Sequence, residues 1–277
     1  MLWENLREEE FEAAVKKANG VCVVPVGCVE KHGQHLPLGT DVLHSSQIAA
    51  LAAEEEYAVV FPSMYFGEKT GAGEFKGTIL FSAELRFKIL QETCKEIARN
   101  GFKKILLYNG HGGNGSMLGN FSRSVLMEKN DYMVFTANIN LATPKKLVNL
   151  EYDYLTEEDR EILQNFVDEN KTYGHGGIVE TGWLYHLCPQ LVRLDKMGQE
   201  SGLSTGRFDE FSKRGISTPF GWMANYPNSY TGEPHGMNER IARAMVDYTK
   251  DDLKEMIRFL KTETISDEYQ REWLSKQ

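Results

Sequence analysis

Short apolar runs and amphipathic segments alternate along the first half of the chain. The apolar runs predict buried strands at residues 21–26, 58–61, 103–108 and 132–137. Before and between them, apolar residues recur at helical spacing and predict helices at residues 8–18, 43–55, 83–100 and 116–129. Ser82 is expected to cap the third of these helices, and Gly101 to end it. Strands that alternate with helices indicate an α/β fold, with a mainly parallel sheet between two layers of helices.

The second half of the chain is less regular. After about Asn140, helices are predicted at residues 156–170, 178–187 and 237–261, whereas residues 198–236 are loop-like and rich in Gly, Ser, Thr and Pro. A glycine-rich stretch at residues 67–77 is a candidate lid or pocket wall. Because no internal repeat, low-complexity tract or clear linker is visible, we expect residues 1–277 to form a single domain.

Composition narrows the class of protein. The chain of 277 residues carries a formal net charge of -9 and has no basic cluster, which argues against a nucleic-acid partner. No apolar run approaches the ~20 residues of a membrane span, and the N-terminus does not resemble a signal peptide. The four cysteines are scattered, as expected of idle thiols in a reducing compartment. We therefore expect a cytoplasmic enzyme with a small-molecule substrate.

Two polar loops, each directly after a predicted strand, carry most of the candidate chemistry. Residues 27–41 and 109–115 are rich in glycine and contain Glu, His and Asp side chains. Open α/β sheets place their sites beyond the carboxyl ends of strands, where both loops begin. This arrangement is more typical of a metal-centred hydrolase than of packing.

Four side chains of these loops have the chemistry of metal ligands. Glu30 and His32 are two residues apart, so in an extended segment they project to the same side. A turn with proline and glycine can return Asp41 beside them, and His111 follows the neighbouring strand. Two carboxylates and two imidazoles suit Zn²⁺, Mn²⁺ or Fe²⁺, and Asp41 is a candidate to bridge two ions.

The alternative is that these are ordinary loop residues. A lone histidine is usually a satisfied core or surface side chain. However, five of the seven histidines lie among glycines or in turn-like loops, namely His32, His35, His111, His175 and His235. This concentration favours the metal interpretation.

The second loop also matches a different motif. Gly110, Gly112 and Gly115 have the spacing of a dinucleotide-binding fingerprint, which would make the protein an NAD(P)-dependent oxidoreductase. That interpretation is weakened because the loop is not in the first βα unit, and because no acidic residue at the next strand end is available for a ribose. We instead expect backbone N–H groups at Gly112, Gly113 and Asn114 to hold an anion or an oxyanion.

A third polar element spans residues 175–182. His175 is a candidate general acid that protonates a leaving group. Glu180 is a candidate metal ligand, or the base that handles the attacking water. By spacing alone, a helix N-terminal turn with a favourable Glu is the better explanation of this element.

Taken together, the three elements resemble the creatininase (creatinine amidohydrolase) family. The similarity is carried by residues 25–41, 109–114 and 175–181, with weaker matches at residues 76–79 and 236–240. The resemblance implies a three-layer α/β/α sandwich, a two-metal site, commonly a hexamer, and hydrolysis of C–N bonds in cyclic amides and formamides.

The resemblance also implies roles for individual residues. Glu30 and His111 would hold one ion and His32 the other, with Asp41 between them and a metal-bridging hydroxide as nucleophile. His175 would deliver the proton to the departing group. Two divalent ions (Zn, Mn or Fe) are the implied cofactors.

This chain departs from the family pattern at two positions. Gly113 stands where creatininases carry a Glu that ligates the second ion, and Glu180 is our candidate replacement. The lid at residues 71–78 lacks the His that often precedes its Gly-Thr. Both changes fall where substrate selection is expected, which argues against creatinine itself. Flat substrates could stack on aromatic residues of the wall at 222–235, namely Trp222, Tyr226 and Tyr230.

Three further functions remain open alongside the leading one, a dinuclear-metal hydrolase of a small polar cyclic amide or formamide. Relatives with this loop version include a hydrolase that opens a keto-inositol ring, so C–C cleavage of a cyclic ketone is an alternative. The NAD(P)-dependent oxidoreductase is another. The last is a non-catalytic binding module that keeps the family loops.

Overall fold

In the part of the chain that the structure describes, four parallel strands form the central sheet, in the order β2-β1-β3-β4. They are β1 (Val21–Val26), β2 (Val59–Val60), β3 (Lys104–Asn109) and β4 (Met133–Asn138). In the register of β1 with β3, Val26 lies opposite Asn109, so the two strands end side by side. The two polar loops that follow these strands therefore begin at the same edge of the sheet.

The helices, in chain order, are α1 (Glu8–Lys17), α2 (Thr40–Glu55), α3 (Ala83–Arg99), α4 (Asn114–Ser124), α5 (Pro144–Leu147), α6 (Glu157–Asp168), α7 (Ile178–Leu187), α8 (Asp209–Lys213), α9 (Gly221–Asn225), α10 (Glu239–Thr262) and α11 (Ile265–Ser275). Short 3-10 turns lie at Trp3–Asn5, Val125–Met127, Pro189–Leu191 and Leu194–Lys196. The computed structural model describes residues 1–69, 71–168, 173–232 and 236–276. The end of the predicted helix 156–170 and His235 lie outside the described residues.

Alternate side chains of the strands enter two separate cores. Val21 and Val23 of β1 pack with α2, α7 and α10, whereas Cys22 and Val24 pack with α1, α3 and α4. This alternation follows from the period of two in a strand. It confirms the predicted three-layer α/β/α architecture, and it explains why all four residues are fully buried.

Several predicted boundaries need correction. Helix α2 begins at Thr40, three residues before the predicted start. The prediction began too late because the helix starts with two polar residues, Thr40 and Asp41, which do not contribute to an apolar pattern. Helix α4 begins at Asn114 and ends at Ser124, short of the predicted Lys129. The predicted loop 198–236 contains α8 and α9. Helices α5 and α11 were not predicted: α5 is a single turn, and α11 buries none of its residues.

Two other predictions about the elements can be checked. The Ser82 hydroxyl accepts a hydrogen bond from the Leu85 backbone N–H, so it caps α3 as expected. Within the described ranges, no helix combines the length and the apolar character that crossing a bilayer requires.

Candidate metal centre

The first polar loop is folded so that its acidic and imidazole groups meet. Gly27, directly after β1, lies so close to the start of α2 that an added Cβ would be 2.6 Å from the Val42 nitrogen. This contact holds the first turn of α2, with Asp41, against the end of the strand. Glu30, His32 and Asp41 are all completely buried. Buried charges of this kind are costly unless they are paired or bound to a metal.

Asp41 lies at the middle of the cluster. Its Oδ1 atom is 3.1 Å from His32 Nε2, and its Oδ2 atom is 3.0 Å from His111 Nδ1. The same His111 nitrogen lies 3.0 Å from Glu30 Oε1. The two oxygens of Asp41 therefore face two different imidazoles, as a carboxylate between two ions would.

Three overlapping groups of potential ligand atoms occur among the described residues, each with all its atoms within 4.8 Å of one another. The groups are Cys28, Glu30, Asp41 and His111; Glu30, His32 and His175; and His32, Asp41 and Glu180. Nitrogen, oxygen and sulfur donors in this mixture suit Zn²⁺ and related divalent ions. The donor set fits a metal centre, and it unites the four predicted ligands from the two loops.

The hydrogen bonds of two histidines leave one particular ring nitrogen for the cluster. His32 Nδ1 lies 3.1 Å from the Glu30 carbonyl oxygen, and His111 Nε2 lies 2.8 Å from the Glu68 carbonyl oxygen. Since a carbonyl only accepts, these nitrogens carry the protons of the neutral rings. When the rings are neutral, the opposite nitrogens, His32 Nε2 and His111 Nδ1, are the atoms free to bind a metal ion. Metal-ligating histidines are oriented in this way.

The buried carboxylates of the cluster stabilise positive charge on the groups beside them. Burial disfavours the charged imidazole of His32, but the Asp41 and Glu180 carboxylates raise its pKa to about 10. Burial likewise opposes ionisation of Asp41, yet His32 and His111 hold the pKa of this carboxyl well below its ordinary value. Protons on the imidazoles thus balance the carboxylates where no cation does so. A divalent ion would displace those protons, because metal ligands must be deprotonated.

The third polar element also reaches the cluster. The Gly176 N–H donates to Glu180 Oε2 at 2.6 Å, and the same oxygen lies 3.6 Å from His32 Nε2. The ring of His175 lies over that of His32, with 4.0 Å between the ring centroids. Gly176 has a φ of +70°, a conformation that favours glycine, and its turn allows both side chains to face the same site.

His175 is held as a neutral ring. Burial lowers its pKa well below the ordinary value, and the nearby charges of His32 and Lys69 act in the same direction. His175 Nε2 lies 2.7 Å from the Lys31 carbonyl oxygen, so it carries the proton and Nδ1 is the acceptor.

Two glycines of the second loop, Gly110 and Gly113, are required for close packing. A Cβ on Gly110 would lie 2.5 Å from Ser45 Cβ, and one on Gly113 would lie 2.5 Å from His111 Nε2. The Asn114 N–H donates to the His111 carbonyl at 3.0 Å, and its side chain bonds the Glu68 N–H and the Val26 carbonyl. Because the Asn114 N–H already donates to His111, the N–H groups of Gly112 and Gly113 are the better candidates for binding an anion.

Sequence reasoning missed four residues that lie in or against the cluster. They are Cys28, His44, Lys69 and the aromatic neighbour Trp183. Cys28 Sγ lies 3.1 Å from Asp41 Oδ2, although the sequence analysis treated every cysteine as idle. His44 could have been noticed, because it lies one helical turn after Asp41. Lys69 could not, since nothing in its local sequence relates it to Glu30.

The chain is similar in sequence to known proteins of one family. A family model described as creatininase, creatinine amidohydrolase, matches residues 4–257. Creatinine amidohydrolase of Pseudomonas putida is 28% identical over 220 residues, which cover 76% of this chain and 81% of that protein. A mycofactocin precursor peptide peptidase of Mycolicibacterium smegmatis is 34% identical over 98 residues, which cover 33% of this chain and 39% of the peptidase.

Solved structures give the same fold. A structure of creatininase described as an Mn form matches with a TM-score of 0.72 at 22% identity, covering 95% of this chain and 99% of that one. A Zn-Zn type creatininase variant also matches with a TM-score of 0.72 at 22% identity, with coverage of 95% and 98%.

Proposed function

Because the chain belongs to the creatininase family of amidohydrolases, we propose that it is a metal-dependent hydrolase of a C–N bond in a small polar cyclic amide or formamide. The observation that carries this proposal is the pair of histidines with preset tautomers. His32 and His111 each give one nitrogen to a backbone carbonyl and the other to buried carboxylates. An ordinary core histidine needs no second imidazole and no cluster of buried carboxylates beside it.

We propose that two divalent ions bind here, as in the creatininases described as Mn and Zn-Zn forms. Glu30 and His111 would hold one ion and His32 the other, with Asp41 shared between them. Glu180 would complete the second group in place of a ligand from position 113, which is glycine. When bound, such ions polarise the substrate carbonyl and lower the pKa of water toward ~7.

The side chains around the cluster would manage the protons and the developing charge. His175, whose ring lies against that of His32, would transfer a proton of the attacking water to the departing nitrogen. The N–H groups of Gly112 and Gly113 would stabilise the oxyanion. Burial raises the pKa of Glu180, opposed by the charge of His32, so a neighbouring cation would stabilise the ionised form of this carboxyl.

The alternatives are less well supported. Of the three glycines of the dinucleotide fingerprint, Gly110 is required for packing against Ser45, and the match to a family of amidohydrolases over residues 4–257 favours a hydrolase over an oxidoreductase. Among the described residues, no contact of the cluster favours cleavage of a C–C bond over that of a C–N bond. We also propose a homo-oligomer, a hexamer by family resemblance, and a cytoplasmic location; light scattering of the purified protein would test the first of these.

Metal analysis and a substrate panel test the function directly. We expect about two Zn²⁺ or Mn²⁺ ions per chain, loss of activity on dialysis against a chelator, and recovery when either ion is returned. The panel contains creatinine, formamides, hydantoin-like rings and keto-inositols. Release of amine, ammonia or formate would support C–N hydrolysis. Full activity of the metal-free protein would refute the proposal.

A further inference from the structure

We infer that Lys69 selects an anionic substrate, by binding a carboxylate or a comparable negative group of the amide beside the metal centre. This inference rests on the proposed function, because it assumes that ions occupy the carboxylate cluster. Lys69 lies near the start of the candidate lid, residues 67–77.

Lys69 is a buried cation that faces the reactive side of the cluster. The residue is 9% exposed, and its Nζ atom lies 2.5 Å from Glu30 Oε2. The same oxygen lies 3.4 Å from His175 Nε2. Lys69 Nζ also lies over the ring of Trp222, 4.3 Å from its centroid. A cation, the candidate proton carrier and an aromatic face therefore meet at one point.

The backbone before Lys69 is held in place by the site itself. The Gly67 N–H donates to the Gly27 carbonyl at 3.0 Å, and the Glu68 N–H donates to Asn114 Oδ1 at 2.7 Å. A Cβ on Gly67 would lie 2.5 Å from the Gly27 oxygen, so the approach requires glycine. These contacts direct the next side chain, that of Lys69, into the cluster.

The charges of the site determine what Lys69 can bind. Three carboxylates, Glu30, Asp41 and Glu180, lie with one ammonium, so with neutral imidazoles the group carries two formal negative charges. Two divalent ions would reverse this to two formal positive charges. The ions would then satisfy Glu30, and Lys69 would be a buried cation with a weakened partner, which is unfavourable.

Neighbouring acids are already paired. Glu68 bonds with Arg86, and Glu200 accepts two hydrogen bonds from Lys31. An anion carried by the substrate would restore the balance at Lys69, and the exposed part of Trp222 would cover its flat amide. The chemical class that fits best is therefore an amide or formamide that also carries a carboxylate.

A matched pair of ligands tests this inference by binding. N-formylglycine and N-methylformamide share the formamide and differ in the carboxylate. Calorimetry with Zn²⁺-loaded protein should give at least about tenfold tighter binding of N-formylglycine, since a hydrogen bond to a charged group is worth about 10- to 100-fold. Lys69→Met should abolish the preference, and Lys69→Arg should keep part of it.

The control variant is Lys76→Met, which removes an exposed lysine of the same lid and should leave the preference unchanged. Equal binding of both probes by the wild type would overturn the inference. A preference that survives in Lys69→Met would also overturn it, because the carboxylate would then be bound by the ions. Failure of N-formylglycine to bind would overturn it as well. Metal content, measured on the same samples, separates these results from failure of the proposed function.

Discussion

The Nε2 atom of His111 lies 2.8 Å from the backbone carbonyl oxygen of Glu68. This contact joins the second polar loop to the base of the lid, and it commits the other ring nitrogen, Nδ1, to the carboxylates. One hydrogen bond thus couples the orientation of a candidate metal ligand to the position of the segment that carries Lys69.

The tautomer of His111 predicts an unequal effect of two substitutions. An Asn oxygen can occupy the place of Nδ1, whereas a Gln oxygen reaches the place of Nε2. His111→Asn should therefore retain metal about tenfold more tightly than His111→Gln, with both weaker than the wild type, since even outer contacts of a metal ligand are worth 10–100-fold. Competition with a chromogenic chelator measures these affinities. The reverse order would show that Nε2 is the ligand.

Loss of the Glu30 carboxylate should remove metal without unfolding the protein. Glu30→Gln is nearly isosteric, and we expect at least a ~100-fold loss of affinity for the first ion, with turnover lost in parallel. Elemental analysis after gel filtration reports the bound metal, and circular dichroism reports the fold. Glu74→Gln, in the exposed part of the lid, is the matched control. Undiminished metal content in Glu30→Gln would contradict the proposed ligand set.

Glu180 should prove to be a ligand of the second ion. Glu180→Gln keeps an acceptor for the Gly176 N–H, so the turn should persist. Bound metal should fall from about two ions to about one per chain, because a neutral amide is a weaker ligand than a carboxylate. If two ions remain while turnover falls, Glu180 acts as the base and not as a ligand.

His35 should make the free energy of unfolding depend on pH. Burial lowers the pKa of His35 to about 4, while the unfolded chain keeps the ordinary value of about 6.5. The unfolded chain therefore binds the proton first, so the contribution of neutral His35 is complete above about pH 6.5 and is lost as the pH falls toward 4. The loss is on the order of 3 kcal/mol.

Urea unfolding of the wild type and His35→Gln at matched metal concentration measures this effect. The difference between the two proteins should shrink as the pH falls from 7 to 4. The Gln amide can still donate to the Gly176 carbonyl, which His35 Nε2 approaches to 3.0 Å. A difference that stays constant with pH would show that His35 does not titrate in this range.

Two glycines of the second loop should respond differently to alanine. Gly110→Ala would press a methyl group against Ser45 and the Asp41 carbonyl, at a cost of about 1–3 kcal/mol. A Cβ added at Gly112 would meet open space, so Gly112→Ala should change the free energy of unfolding by less than about 0.5 kcal/mol. The backbone N–H proposed to bind the oxyanion is retained in this variant. Thermal unfolding distinguishes the two. Addition of the wild type or of either variant should leave the fluorescence of NADH unchanged, because no dinucleotide site is expected.

The sequence alone is enough to predict the strands of the sheet and most of the candidate metal ligands. The apolar runs identified the four strands of the described sheet, because central parallel strands such as β1 and β3 need a continuous apolar segment. The edge strand β4, predicted as buried, is only partly buried. The spacing of Glu30 and His32 placed both on one side, and the strand order brought His111 to the same edge. Each of these features depends on residues close together in the sequence, or on the simple rule that parallel strands end together.

Tertiary structure alone decided the surroundings of that cluster. The start of α2 at Thr40, the contact of Lys69 with Glu30 and the cover by Trp222 join segments with no shared periodicity. The long-range packing of Gly67 against Gly27 determines where the lid enters the site. Such contacts depend on how whole elements fit together, and a local pattern of polar and apolar residues contains no information about that fit.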